Sequence, residues 1–164
     1  MDFRRKLLLV IMILPWLTVP FLGRQALKRF SLTSLFIGIL FGGQCVYAHR
    51  KSWWRVYPKI FPNSMAEIPF IAGPFFVGAI WILKYTYGKF LRYTFLNLGV
   101  DFFHVYIFVA WLKKLGVVSL IKLKEYQALL LLTVNAVVMY GFQWLIDSKV
   151  APNKTKSLLT RIFS

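Results

Sequence analysis

Acidic side chains are scarce in this chain. Five Asp and Glu stand against 21 Lys and Arg in 164 residues, with two His and one Cys. The lone Cys45 excludes an intramolecular disulfide. So few His, Cys and acidic residues, with none brought together at ligand spacing, give no basis for a zinc site. HExxH, the phosphate-binding P-loop and the GxSxG elbow are all missing, so no catalytic residue, metal or cofactor is assigned. There is no internal repeat and no low-complexity tract.

Charge in general is thin, at 16% of residues, while 59% are hydrophobic and 18% aromatic, with a mean hydropathy of +0.62. A soluble domain of this size needs polar surface to cover its core, and here the polar residues are too few. The apolar residues come in long blocks separated by basic clusters, which is the pattern a bilayer demands. The expected fold is therefore all-α: one polytopic membrane helix bundle over residues 1–164, with about five transmembrane helices and a basic tail at about 148–164. If the first block does not cross, the number is four.

The net charge of +16 would point to nucleic acid in a soluble protein. Here Lys and Arg sit at the ends of the apolar blocks, which favours anionic lipid headgroups as the counter-charge and excludes nucleic acid from the expected partners. For five spans the basic residues divide almost evenly between the two sides, so they do not fix orientation.

After the basic leader Met1–Lys6, Leu7–Leu22 is apolar but carries Pro15 and Pro20. No small-x-small cleavage site follows, and the block reads as an uncleaved first helix, kinked or ended early by its prolines. Leu32–Ala48 is the second span. Its Ser34, Gly38 and Gly42 lie at successive i, i+4 positions, a flat strip that lets another helix approach closely. Packing within one chain is the preferred reading, and a homo-oligomer interface is the other.

Between the second and third spans lies an aromatic and basic segment. Trp53, Trp54 and Tyr57 among Arg50, Lys51, Arg55 and Lys59 read as a headgroup-level lipid anchor. Ser64 and Glu67 have the spacing of a capping box; the competing reading starts the helix later, with Pro69 at its first position. The third span, Glu67–Lys89, contains Gly73, Pro74 and Gly78, residues that suit a packed helix better than a lipid-facing one. Tyr93–Leu112 and Tyr126–Ile146 are the fourth and fifth spans. Lys113–Glu125, charged at both ends and apolar between, reads as an interfacial segment.

One constellation carries possible chemistry. Asn97, Asp101 and His104 fall at i, i+4 and i+7 on one face of the fourth span, and Asn135 sits midway along the fifth. A charged Asp near the bilayer centre costs about 3 kcal/mol on insertion scales, so Asp101 is expected to face inward. If the two helices are neighbours, Asp101 or His104 should bond to Asn135 or to another polar group. Such a cluster either locks two helices together or relays a proton or cation.

The run Gly73-Pro74-Phe75-Phe76-Val77-Gly78, continuing through Trp81–Lys84 and Thr86–Phe90, resembles a group of uncharacterised small multi-pass bacterial membrane proteins. Lys113-Lys114-Leu115-Gly116 and Tyr140-Gly141-Phe142-Gln143 extend that resemblance. It implies a bacterial inner-membrane protein and carries no activity with it. The expected function is a non-enzymatic integral protein of the cell membrane that interacts with anionic lipids and a membrane protein partner. The alternative is a small proton- or cation-coupled transporter or channel using Asp101 and His104.

Overall fold

A computed structural model describes residues 2–150. Five helices are each long and apolar enough to cross a membrane: α1 (Phe3–Leu22), α2 (Arg24–Lys51), α3 (Ile68–Thr86), α4 (Phe90–Lys114) and α5 (Glu125–Val150). The chain is thus an all-α, multi-pass membrane bundle, and most of the basic tail lies outside the described residues.

Four of the helices are longer than the expected spans, whereas α3 ends at Thr86, before Lys89. The basic residues expected to form connectors continue the helical turns, so that α2 begins at Arg24 rather than near Leu32. Its 28 residues rise about 42 Å, more than a hydrocarbon core of roughly 30 Å. The last turn carries His49, Arg50 and Lys51, cations that suit the negative end of the helix dipole. The turn closes at Ser52, a left-handed residue at φ 54°, while the Trp53 N–H donates to the Ala48 carbonyl at 2.9 Å.

Proline does not break α1. Residues Leu14–Thr18 tighten into a 3₁₀ turn with Pro15 near its start, where a missing N–H is tolerated. The helix then reaches the far end of the bundle. There the Trp81 indole donates to Thr18 Oγ1 at 2.9 Å, and Lys84 donates to the Phe21 carbonyl at 3.1 Å. At the opposite end, the Arg4 guanidinium lies against Gly116. α1 therefore runs the full height of the bundle, which accords with five candidate spans.

Two short strands join the connections at that same end. β1 (Trp54–Val56) pairs antiparallel with β2 (Val118–Leu120), with Arg55 opposite Ser119. Part of Lys113–Glu125, the segment expected at the interface, is thus a strand at the end of the bundle. β-branched Val117 and Val118 meet a partner strand, and the backbone N–H groups of Ile121, Lys122 and Leu123 converge on the Trp53 carbonyl at 2.9–3.2 Å.

Both α3 and α4 contain a widened π turn, at Ile71–Phe75 and Phe103–Phe108. In α3 the cause is Pro74, which cannot donate to the preceding turn and crowds its carbonyls. One residue earlier, Gly73 lets α1 cross at very short range. A Cβ there would stand 2.8 Å from the Ile11 carbonyl oxygen and from the Met12 Cα and carbonyl oxygen. The strip on α2 packs on the same region of α3: Ser34, Gly38 and Gly42 are buried, and a Cβ on Gly38 would meet Ile71 Cγ2 at 3.7 Å. That contact lies within one chain.

The interior divides into two apolar clusters. One holds Ile37, Val77, Ile80, Leu83, Tyr93 and Tyr140 towards the α1–α2 turn, and the other holds Leu8, Val56, Leu112 and Val117 beneath the ribbon. Outward-facing apolar residues such as Ile39, Phe95 and Leu130 occur along α1, α2, α4 and α5, whereas α3 exposes only Tyr85 at its end. Water would penalise so much exposed apolar surface, whereas hydrocarbon requires it.

The crossing at Gly73 is the tightest glycine contact in the bundle, because its neighbours are backbone atoms that cannot swing aside. Gly73→Ala should lower stability by roughly 1–3 kcal/mol in detergent unfolding, the usual range for overpacking. Gly78→Ala, with nothing within 4 Å of the new methyl, should be neutral or mildly stabilising. Equal midpoints for the two variants would contradict the crossing.

Candidate functional site: an interior cavity

α2, α3, α4, α5 and the ribbon line a partly open cavity of about 210 Å³. Along α5 its wall extends from Ala128 to Met139, a rise of about 16 Å, so the space is elongated. Leu120 and Val118 of the ribbon bound one end. The π turns of α3 and α4 supply Pro74, Phe75, His104 and Val105 to the wall, and the widened turns change which residues face inward.

All four members of the expected polar constellation, Asn97, Asp101, His104 and Asn135, line this one space. The expected hydrogen bond between them is not made. Asn135 instead pairs with Gln44 of α2 through two reciprocal amide bonds, each 2.8 Å. Two neutral amides satisfy each other's donor and acceptor without burying a charge, which a carboxylate partner could not match. Asn97 donates to the Tyr93 carbonyl of its own helix at 2.8 Å, and the Tyr93 hydroxyl donates to the Ala136 carbonyl of α5. His104 rests beside the Phe108 ring with 5.3 Å between centroids. Asp101 Oδ2 is enclosed without a hydrogen-bond partner among the described residues. Depth counting on ideal helices does not allow for the π turn that begins two residues after Asp101 and alters the direction in which His104 leaves α4.

Glu67 is a second carboxylate on the wall and is only 4% exposed. Its Oε1 accepts from the Trp54 indole at 3.2 Å and lies 3.3 Å from His49 Nδ1. The capping box with Ser64 is not formed: the Ser64 hydroxyl donates to the Phe61 carbonyl, and α3 starts with Pro69 in its first turn. Trp54 also departs from its expected place as a lipid anchor. It points into the cavity, while Trp53 packs edge-on against Tyr47 at 5.3 Å. The rest of that segment does face outward: Arg50, Lys51, Arg55, Tyr57 and Lys59 are exposed, and none of these cations pairs with a carboxylate among the described residues.

A separate polar chain, not anticipated from the sequence, ties α2 to α5 at the other end. Thr33 donates to Gln143 Oε1, Gln143 donates to Asp147 Oδ1 at 3.0 Å, and Arg29 donates to Asp147 Oδ2 at 2.7 Å. Arg29 also lies over the Tyr87 ring at 5.1 Å. Burial, and then the nearby Asp147 carboxylate, hold the Tyr87 hydroxyl well above the usual phenol range. The sequence signal was available: Gln44 and Gln143 are amides inside apolar blocks, where an unpaired amide is costly.

No protein-family model, no curated protein and no solved structure matches the chain. The site is defined by its own geometry.

The Gln44–Asn135 pair yields a quantitative test. Gln44→Leu and Asn135→Leu each leave the other amide unpaired, and the double variant removes both. A double-mutant cycle in detergent should give a favourable coupling of about 0.6–1.7 kcal/mol, the range for hydrogen bonds between membrane helices. Additive losses with no coupling would remove the pair from the packing of α2 on α5.

Proposed function

We propose that the protein is a small integral protein of a bacterial inner membrane that holds a membrane-soluble small molecule in its interior cavity. The observation that carries this reading is an elongated, largely apolar space with Asn97, Asp101 and His104 on its wall. Sites for small ligands are characteristically apolar clefts with a few converging polar groups. The exposed cations of Arg50, Lys51, Arg55 and Lys59 are suited to anionic headgroups at the bundle's end, with Tyr57 beside them at the interface. Resemblance to small bacterial multi-pass proteins supports the choice of membrane. A protein partner or a second copy of the chain would have to dock on an outer face, and the outward apolar residues are spread over α1, α2, α4 and α5.

Proton- or cation-coupled transport is the second reading. It is favoured by the unpaired Asp101 Oδ2 next to the π turn of α4, since intramembrane carboxylates commonly mark ion pathways.

Purification in a mild detergent, followed by organic extraction and mass spectrometry, tests the cavity. The wild-type chain should retain a small molecule near one per protein. Val105→Phe and Leu132→Trp, which place bulk in the cavity from α4 and α5, should lose it while remaining folded by circular dichroism. Undiminished retention in both filled variants would contradict the reading.

A further inference from the structure

We propose that the cavity selects a cationic amphiphile, a protonated amine on a hydrocarbon tail, with the amine seated at Asp101. This rests on the cavity being a binding site, and it deepens that reading by naming the class of guest.

The first support is a separation of charge within the chain. Lys and Arg outnumber Asp and Glu by 21 to five, yet none of the 18 Lys and Arg among the described residues lines the cavity, whereas two of the five acids, Asp101 and Glu67, do. A fatty-acid carboxylate placed in this space would find two acids and no Lys or Arg from the described residues to neutralise it.

The second support is the state of the polar groups on the wall. Several donors of the surrounding network are engaged, the Asn135 amide with Gln44, the Asn97 amide with the Tyr93 carbonyl and the Trp54 indole with Glu67, while the His104 imidazole on the same wall makes no hydrogen bond among the described residues. Glu67 is engaged as an acceptor by Trp54 and faces His49. Besides the imidazole, which offers one donor and one acceptor, the open capacity on the wall is that of Asp101 Oδ2, which is enclosed and has no partner among the described residues. A guest that brings N–H donors and a positive charge completes this site. A protonated amine beside the Asp101 carboxylate makes a net-neutral, hydrogen-bonded pair, the form in which charge is tolerated inside a bilayer.

The third support is shape. The cavity is drawn out along α5 between Ala128 and Met139, with Leu131, Leu132, Ala136 and Met139 offering carbon surface to a tail. A head and a chain therefore find complementary regions of one continuous wall.

The experiment uses the full chain in nanodiscs of zwitterionic lipid and three probes with the same tail: dodecylamine, dodecanol and dodecanoate. Thermal stabilisation is measured as a function of probe concentration. Partitioning into the lipid is common to all protein variants and cancels between them. The wild-type chain should be stabilised by dodecylamine at the lowest concentrations. Asp101→Asn should bind it roughly tenfold to a hundredfold more weakly, as expected for loss of a charge-assisted hydrogen bond. Asp101→Glu should keep the preference for the amine, and Leu132→Trp should respond to none of the three.

Equal stabilisation by the alcohol or the carboxylate, or an Asp101→Asn variant that binds the amine as tightly as wild type, would overturn the amine assignment. In that case loss of response in Leu132→Trp would leave the cavity standing as a site. Equal response of Leu132→Trp and wild type to every probe would instead overturn the cavity reading itself. Failure of the wild-type chain to respond to dodecylamine at all also overturns the proposal.

Discussion

A polar side chain inside hydrocarbon has no water to bond with, so it must find its partner within the protein. That constraint accounts for how the five helices are joined. α2 meets α5 twice, through the Gln44–Asn135 amide pair and through the Thr33, Gln143, Asp147 and Arg29 chain. α4 meets α5 where the Tyr93 hydroxyl bonds the Ala136 carbonyl, and the ribbon meets α3 where Trp54 bonds Glu67. Apolar packing alone distinguishes poorly between one helix face and another when the surroundings are equally apolar, and these bonds supply the distinction. Ser34, Tyr87, Asp101 and Trp144 each keep one buried polar atom without a partner among the described residues, and Asp101 is the one of these four on the cavity wall.

Room for the cavity comes from departures from regular helix. Pro74 forces the π turn in α3, and the next residue, Phe75, joins the wall. The π turn in α4 follows directly on the helical turn that carries Asp101 and turns His104 and Val105 onto the same wall. Gly73, one residue before Pro74, meanwhile admits α1 against the opposite side of that turn, so α1 braces the irregular stretch from outside. Proximity of the two features in the chain links a packing requirement to an opening.

The helices were legible in the sequence because apolar blocks of sufficient length have few alternatives in a chain with so little charge. Their ends were less so: a basic residue marks the membrane surface but does not stop a helix, and α2 simply continues through Lys28 and Arg29. The ribbon escaped notice because each strand is three residues long and its partner lies far along the chain, where no local pattern announces the pairing. In the site, the inward placement of Asn97, Asp101 and His104 follows from helical periodicity and the cost of exposing an acid to lipid. Gln44 and Gln143, as amides inside apolar blocks, signal a need for partners, but those partners lie 91 and 110 residues away, so no local pattern says which residues they are. Glu67 was misassigned for the opposite reason. A plausible local partner, Ser64, stood three residues away, while Trp54 and His49 compete for the carboxylate only once the chain has folded.

The central claim is that one face of α4 looks into the bundle and the other into lipid, and spin labelling tests it most directly. Single cysteines replace Leu91, Phe95, Asn97, Phe102 or Val105 in a chain carrying Cys45→Ser, and each is labelled in nanodiscs. The three exposed positions, Leu91, Phe95 and Phe102, should be readily accessible to oxygen dissolved in the lipid, whereas labels at buried Asn97 and Val105 should be shielded and restricted. High oxygen accessibility at positions 97 and 105, with shielding at 95 and 102, would place Asp101 against lipid and contradict the account.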